Sequence, residues 1–234
     1  MAEGASLGWH DREKLPDWME RQIFKVRQNL LPTRARLHQW GLAGSRKCRY
    51  CKQQDETIDH LTSGCSCFSF SRYVTRHDAL CRVIHWAILR KHGGEGEWTA
   101  AHWKHKPAAV TSLEGGKLIW NQFVPVSSNA VKANRPDIVW EEGDTIRVIE
   151  ISCPADRNVR EMTNQKDTKY VSLIRDIHTT RGKRVEYYPV VIGATGAITE
   201  RCAQAIDDLG LDVKLEWLQK IVTYETVKIL TSLV

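Results

Sequence analysis

The sequence predicts an α/β (α+β) fold: a mixed central sheet flanked by helices, preceded by a small helical module wrapped around a metal ion. Three observations predict it. Short runs rich in β-branched and aromatic residues, at 117–124, 137–141, 145–152 and 184–192, read as strands. Segments with apolar residues three to four apart stand before, between and after them and read as helices. A cluster of cysteines with one histidine occupies the stretch from Cys48 to Cys67, ahead of the strands.

The first helical segment, 15–43, carries Trp18, Ile23, Val26, Leu30 and Leu31 before Pro32 interrupts the pattern, and its remainder is basic through Arg34, Arg36 and His38. Tyr73 to Lys91 shows one apolar face through Leu80, Val83, Ile84, Ala87 and Ile88, and Gly93–Gly94 stops it. From Gly96 to Ser112, Lys and His residues alternate with Trp98 and Trp103 without a clear period, and the stretch reads as a loop. Strands 137–141 and 145–152 are joined by a Glu-Glu-Gly-Asp turn. A helix is expected over 158–178, a buried strand over 184–192, and closing helices at 198–209 and 214–232. Alternation of strands and helices in this order is what a layered sheet-and-helix domain requires.

Composition narrows the function classes. The 234 residues are 42% hydrophobic and 26% charged, which supports a packed core and excludes the low-hydrophobicity signature of disorder. A net charge of +6 suits a polyanionic partner without demanding one. No apolar run is long enough to span a bilayer and no secretory pattern opens the chain, so a soluble, non-membrane protein is expected. Seven cysteines, an odd number with four crowded together, point to a reducing compartment and a metal site rather than a disulfide framework.

Cys48, Cys51, His60 and Cys65 form C-x2-C-x8-H-x4-C. Thiolates and imidazole suit Zn2+, the Cys48/Cys51 pair can chelate from one tight turn, and four protein ligands leave no open position, so the ion should be structural. Cys67 competes for the fourth place. The chain then divides into a helical, basic leading segment (1–43), a zinc knuckle (44–68) and a larger domain (69–234). Arg34, Arg36, Arg46, Lys47, Arg49 and Arg72 near the knuckle are candidates for phosphate contacts, with Arg135 further on. Arg76 and His77 also qualify, although an intramolecular cap or salt bridge at a helix start is the blander and favoured reading of Arg76-His77-Asp78.

A second constellation follows. Asp137 begins one strand and Glu150 lies near the end of the next, so an antiparallel pair about the Glu142–Asp144 turn sets them side by side. Two such carboxylates repel unless a cation lies between them, and hard oxygens suit Mg2+ or Mn2+. The following helix offers Lys166, Lys169 and Tyr170, with Lys166 and Tyr170 on one face. A lysine beside such a site can hold a scissile phosphate and stabilise the charge that develops on it.

Together these motifs, with Arg76-His77-Asp78 between them and with Leu31-Pro-Thr-Arg34, Glu56-Thr-Ile-Asp-His60 and Tyr188-Pro-Val-Val-Ile-Gly193, resemble the C-terminal region of non-LTR retrotransposon polyproteins that carry a restriction-like endonuclease. The resemblance implies a PD-(D/E)xK-like, restriction-endonuclease-like fold that nicks target DNA in the nucleus, otherwise residing in the cytoplasm, so that a linked reverse transcriptase can extend the exposed end. It implies Asp137 and Glu150 as Mg2+ or Mn2+ ligands, Lys166 as the motif lysine displaced onto the helix, since Ser152 fills the usual place, and Lys169 and Tyr170 in support. DNA, element RNA and the reverse transcriptase domain would be the partners. The alternative is a nucleic-acid-binding module derived from such an enzyme.

Overall fold

The computed structural model describes residues 16–92 and 105–232; the Gly93–Gly94 stop and the part of the expected loop that carries Trp98 and Trp103 lie outside them. Helices α1 (Asp17–Arg27) and α2 (Arg34–Gln39) come first, separated at Pro32. Thr33 caps α2 by accepting from the Arg36 amide at 3.3 Å. A metal-binding loop closes in a π-helical turn at His60–Gly64 and a 3-10 turn at Ser66–Phe68. Helix α3 (Arg72–Lys91) leads into β1 (Val110–Leu113), β2 (Gly116–Trp120), β3 (Ile138–Glu142) and β4 (Thr145–Ser152). Helices α4 (Val159–Lys169) and α5 (Val171–Arg181), strand β5 (Arg184–Val191), and helices α6 (Glu200–Leu209) and α7 (Leu215–Thr231) complete the chain.

The five strands form one mixed sheet in sequence order, antiparallel from β1 to β4, with β5 parallel to β4. A parallel step needs a crossover, and α4 with α5 provides it. Side chains alternate across each strand and so build two cores. Ile138 and Trp140 of β3 and Ile149 and Ile151 of β4 meet Leu80, Ile84 and Ile88 of α3, with Ile206 of α6 and Leu218 and Val222 of α7. Val139, Ile146 and Val148 face the other way, against Tyr170, Leu173 and Ile177.

Two expectations need correction. The stretch read as a loop through Ser112 contains β1, a four-residue edge strand with no fully buried side chain; lacking an apolar face, it carries no periodic signal and forms by pairing with β2. The single helix over 158–178 breaks into two at Tyr170, whose phenol is pulled onto the Arg135 carbonyl at 3.0 Å.

Close backbone approach fixes one glycine. A Cβ on Gly116 would lie 1.9 Å from the Glu141 carbonyl oxygen across the β2–β3 pair. Gly116→Ala is therefore expected to cost about 1–3 kcal/mol, the usual penalty for overpacking. Urea unfolding would measure it, and a loss of only a few tenths would show that the strands can part without cost.

Candidate metal centres and the carboxylate site

The knuckle is a tight hairpin. The Cys48 amide donates to the Gln54 carbonyl at 2.8 Å, the Lys52 amide to the Cys48 carbonyl at 3.0 Å, and Lys52 adopts φ +61° to turn the chain. Cys48 and Cys51 thereby face His60 at the start of the π-helical turn and Cys65 at its end. Donor atoms of all four lie within 4.8 Å of one another. Cys48 Sγ is 4.0 Å from Cys65 Sγ, and Cys51 Sγ is 3.3 Å from His60 Nε2.

His60 Nδ1 lies 3.2 Å from Gln54 Oε1, the outer contact that fixes Nε2 as the ligand atom. Burial pushes the Cys65 thiol up to about 12 and lowers the pKa of His60, whereas the backbone of Gln54 lowers that of Cys51. The donor set fits Zn2+ with no vacant position, which makes the ion structural. Cys67 is exposed and outside the cluster.

One residue that sequence reasoning missed holds this module together. Glu56 is fully buried and accepts from the amides of Arg34 and Arg49, each at 2.8 Å, and from Arg49 Nε and Nη2 at 2.9 and 2.7 Å. Burial opposes its charge, but Arg49 and the two amides outweigh it and keep the carboxyl below its ordinary pKa. No local spacing signals this role, since its partners Arg34 and Arg49 lie 22 and 7 residues before it.

The basic candidates distribute unevenly. Arg46 and Lys47 are exposed, each leaning on Asp55, at 2.8 and 3.8 Å. Half-buried Arg36 bonds Gln39 at 2.8 Å and stacks over Trp40. Arg34 is half-buried beside Glu56, whereas the guanidinium of Arg49 is taken up by that carboxylate. Arg72 donates to the Ile229 carbonyl of α7 and to the hydroxyl of Ser232, the residue that ends that helix. Arg135 is exposed, donating to the Asn121 carbonyl at 3.1 Å and lying over the Phe123 ring.

Arg76 is a correction. It is 1% exposed and cannot reach a nucleic acid. Its guanidinium joins three elements: Nη1 donates to Thr226 of α7 at 3.0 Å, and Nη2 donates to the Cys153 carbonyl at 2.8 Å and to Ser63 of the π-helical turn at 3.4 Å. Removing such a charged donor strands buried acceptors, so Arg76→Ala is expected to destabilise the protein by about 3 kcal/mol in urea unfolding. A cost below about 1 kcal/mol would contradict this bridging role. His77 also turns inward, toward Asp137 and Asp78.

The β3–β4 register pairs Ile138 with Ile149, which sets Asp137, one residue earlier, level with Glu150 at the open end of the hairpin. Asp137 Oδ2 accepts from the Ile151 amide at 2.7 Å, and Oδ1 lies 3.3 Å from His77 Nε2. Burial opposes charge on both side chains. For Asp137, contact with His77 and the Ile151 amide outweighs burial and lowers the pKa; for His77, Cys81 and the two carboxylates outweigh it and raise the pKa.

Glu150 is 2% exposed, and its Oε1 receives both lysines of α4, Lys166 Nζ at 2.5 Å and Lys169 Nζ at 2.9 Å. Glu150 Oε2 is buried and makes no hydrogen bond among the described residues. Tyr170 lies beneath Lys169, and its bond to the Arg135 carbonyl ties the Arg-Pro-Asp segment to the helix layer. Tyr187 of β5 likewise donates to the Lys166 carbonyl at 2.8 Å. Asp137, Glu150, Lys166, Lys169 and Tyr170 are thus gathered at one end of the sheet.

Residues 4–71 match a protein family described as zinc-binding in reverse transcriptase, a span that contains the whole Cys48–Cys65 cluster and ends at the start of α3. No curated protein matches the chain. The Cys48–Cys65 cluster thus lies in a stretch similar to a zinc-binding domain described for reverse transcriptases, a similarity that suggests a retroelement context. Among the described residues no helix is long and apolar enough to cross a membrane.

Proposed function

We propose that the sheet domain is a restriction-like, Mg2+- or Mn2+-dependent DNA endonuclease that nicks nuclear target DNA to prime reverse transcription of a non-LTR retroelement. The observation that carries this reading is Glu150 Oε2, buried level with Asp137 and without a hydrogen bond among the described residues, the nearby Tyr170 hydroxyl being directed to the Arg135 carbonyl. A buried carboxylate oxygen without a partner is costly unless a cation occupies the space beside it. Asp137 and Glu150 would hold the ion; when bound, it would polarise the phosphate and lower the pKa of the attacking water.

The chain's own part is to orient and to neutralise. The Ile151 amide fixes one oxygen of Asp137, and the other faces His77. Lys166 and Lys169 sit where a phosphate approaching Glu150 would meet them, and their positive charge would stabilise the developing charge of phosphodiester hydrolysis. Exposed Arg46 and Lys47 would contact the DNA or element RNA from the zinc module.

A second reading, a nucleic-acid-binding module without catalysis, is favoured by one feature: both lysines already pair with Glu150, and His77 covers Asp137. Nicking of supercoiled plasmid in Mn2+ separates the two. The enzyme reading expects an active wild type and an inactive Asp137→Ala variant; the binding reading expects equal background from both.

A further inference from the structure

The chain between β2 and β3 holds an aromatic ring in solvent beside the carboxylate site. Phe123 is 68% exposed, although the next residue, Val124, is buried in the cluster of Val139 and Tyr170. We propose that Phe123 and Arg135 form a stacking platform for one unpaired base of DNA, so that the preferred substrate carries an unstacked nucleotide close to the cut. The proposal rests on the endonuclease reading for its substrate class, but the platform itself is built from residues outside the carboxylate pair.

Hydrogen bonds anchor the backbone on both sides of the ring. Asn121, at φ +49°, a left-handed conformation that asparagine tolerates, donates its amide to the Asp137 carbonyl at 2.8 Å. The Val124 amide donates to the Asn134 carbonyl at 2.8 Å, and Asn134 Nδ2 donates back to the Val124 carbonyl at 3.3 Å. Arg135 Nε donates to the Asn121 carbonyl at 3.1 Å, while the Tyr170 hydroxyl holds the Arg135 carbonyl at 3.0 Å. A ring placed in advance by its backbone loses little freedom when a base stacks on it.

Chemistry names the occupant. The Arg135 guanidinium lies 5.2 Å from the centre of the Phe123 ring, so an aromatic face and a planar cation share one exposed surface. Bases stack on both kinds of plane, and the cation neutralises the phosphate that accompanies the base. An apolar protein segment would cover the ring and leave the guanidinium unmatched. In a paired duplex both faces of every base are already covered, so the base that reaches Phe123 is one that has left the stack. Arg135 stands two residues before Asp137, at most about 7 Å along the chain, which is roughly two nucleotide rises of one DNA strand. The stacked base therefore belongs to a nucleotide close to the scissile phosphate.

Binding without cleavage tests the platform apart from the chemistry. The full zinc-loaded chain, without Mg2+ or Mn2+, is titrated by fluorescence anisotropy into a labelled DNA duplex carrying one unpaired adenine, and into the same duplex fully paired. The wild type is expected to bind the first about tenfold more tightly, the scale of one base–aromatic stack. Phe123→Ala should erase that preference and leave affinity for the paired duplex unchanged, whereas Phe123→Trp should keep the preference. Arg135→Gln should weaken both complexes and lower the salt slope by about one, the loss of one phosphate contact. Because Phe123 is exposed, its removal leaves the core intact, which an unchanged melting temperature verifies. Equal affinity of the wild type for the two duplexes, a preference that survives Phe123→Ala, an equal loss on both duplexes in that variant, or an unchanged salt slope for Arg135→Gln overturns the proposal. A chain that prefers the unpaired base yet nicks nothing sinks the endonuclease reading alone; one that nicks plasmid without the preference sinks the platform alone.

Discussion

Glu150→Gln is expected to slow plasmid nicking at least about a hundredfold in Mn2+, on the scale of losing one electrostatic contact in a catalytic site. Gln keeps the shape of the side chain and one acceptor for Lys166 and Lys169, but removes the charge that Oε2 offers to a cation. DNA affinity should move oppositely. Two lysines released from their only shared carboxylate oxygen add positive charge to the approach path, so binding by fluorescence anisotropy should hold or tighten at low salt and weaken more steeply as salt rises. The combination is diagnostic, because a misfolded variant loses both properties and a spectator glutamate changes neither. Nicking within a few-fold of wild type would remove Glu150 from the chemistry.

The lysines extend the same argument. Lys166 is the more enclosed, with 17% of its side chain exposed against 42% for Lys169, and it makes the shorter contact to Glu150. Its backbone is also pinned by Tyr187, so its ammonium is the better placed of the two. Lys169, lying over the Tyr170 ring, can swing toward solvent at little cost.

How far the sequence reveals this arrangement depends on whether neighbours in space are also neighbours in pattern. Strand β4 shows in full from Thr145 to Ser152, because most of its residues are β-branched and a glycine-containing turn precedes it, Gly143 adopting φ +53°. The level placement of Asp137 and Glu150 follows from counting back from that turn, since hairpin pairing is local. The cysteine spacing is equally local. Arg76 is a different case: it sits at the start of an amphipathic helix and reads as a surface cation, and its burial comes from Thr226, 150 residues away, and from Cys153 just after β4. No periodicity announces such partners. The approach of His77 to Asp137 stays hidden for the same reason, as does the closure of Glu56 on two arginines.

Removing zinc from the knuckle is expected to unfold it and to loosen the start of α3 while leaving the sheet intact. The module has little core of its own. Cys48 and Cys65 are buried among Ile58, Leu61 and Phe68, and this cluster leans on Ile229 and Leu230 of α7. A structural zinc site in a small module commonly supplies most of its folding free energy. The effect should spread through Tyr73, whose hydroxyl receives the Cys65 amide at 3.0 Å and bonds the His60 and Leu61 carbonyls, and through Arg76 on Ser63. Chelation should therefore lower the melting temperature by on the order of 10 °C, given about 2–4 °C per kcal/mol in a domain this size. Hydrogen exchange should show Cys48, Lys52 and Cys65 amides losing protection first and the β3–β4 ladder last. If the knuckle amides keep their protection after the metal is gone, the packing against α7 rather than the ion holds the module, and zinc is dispensable to the fold.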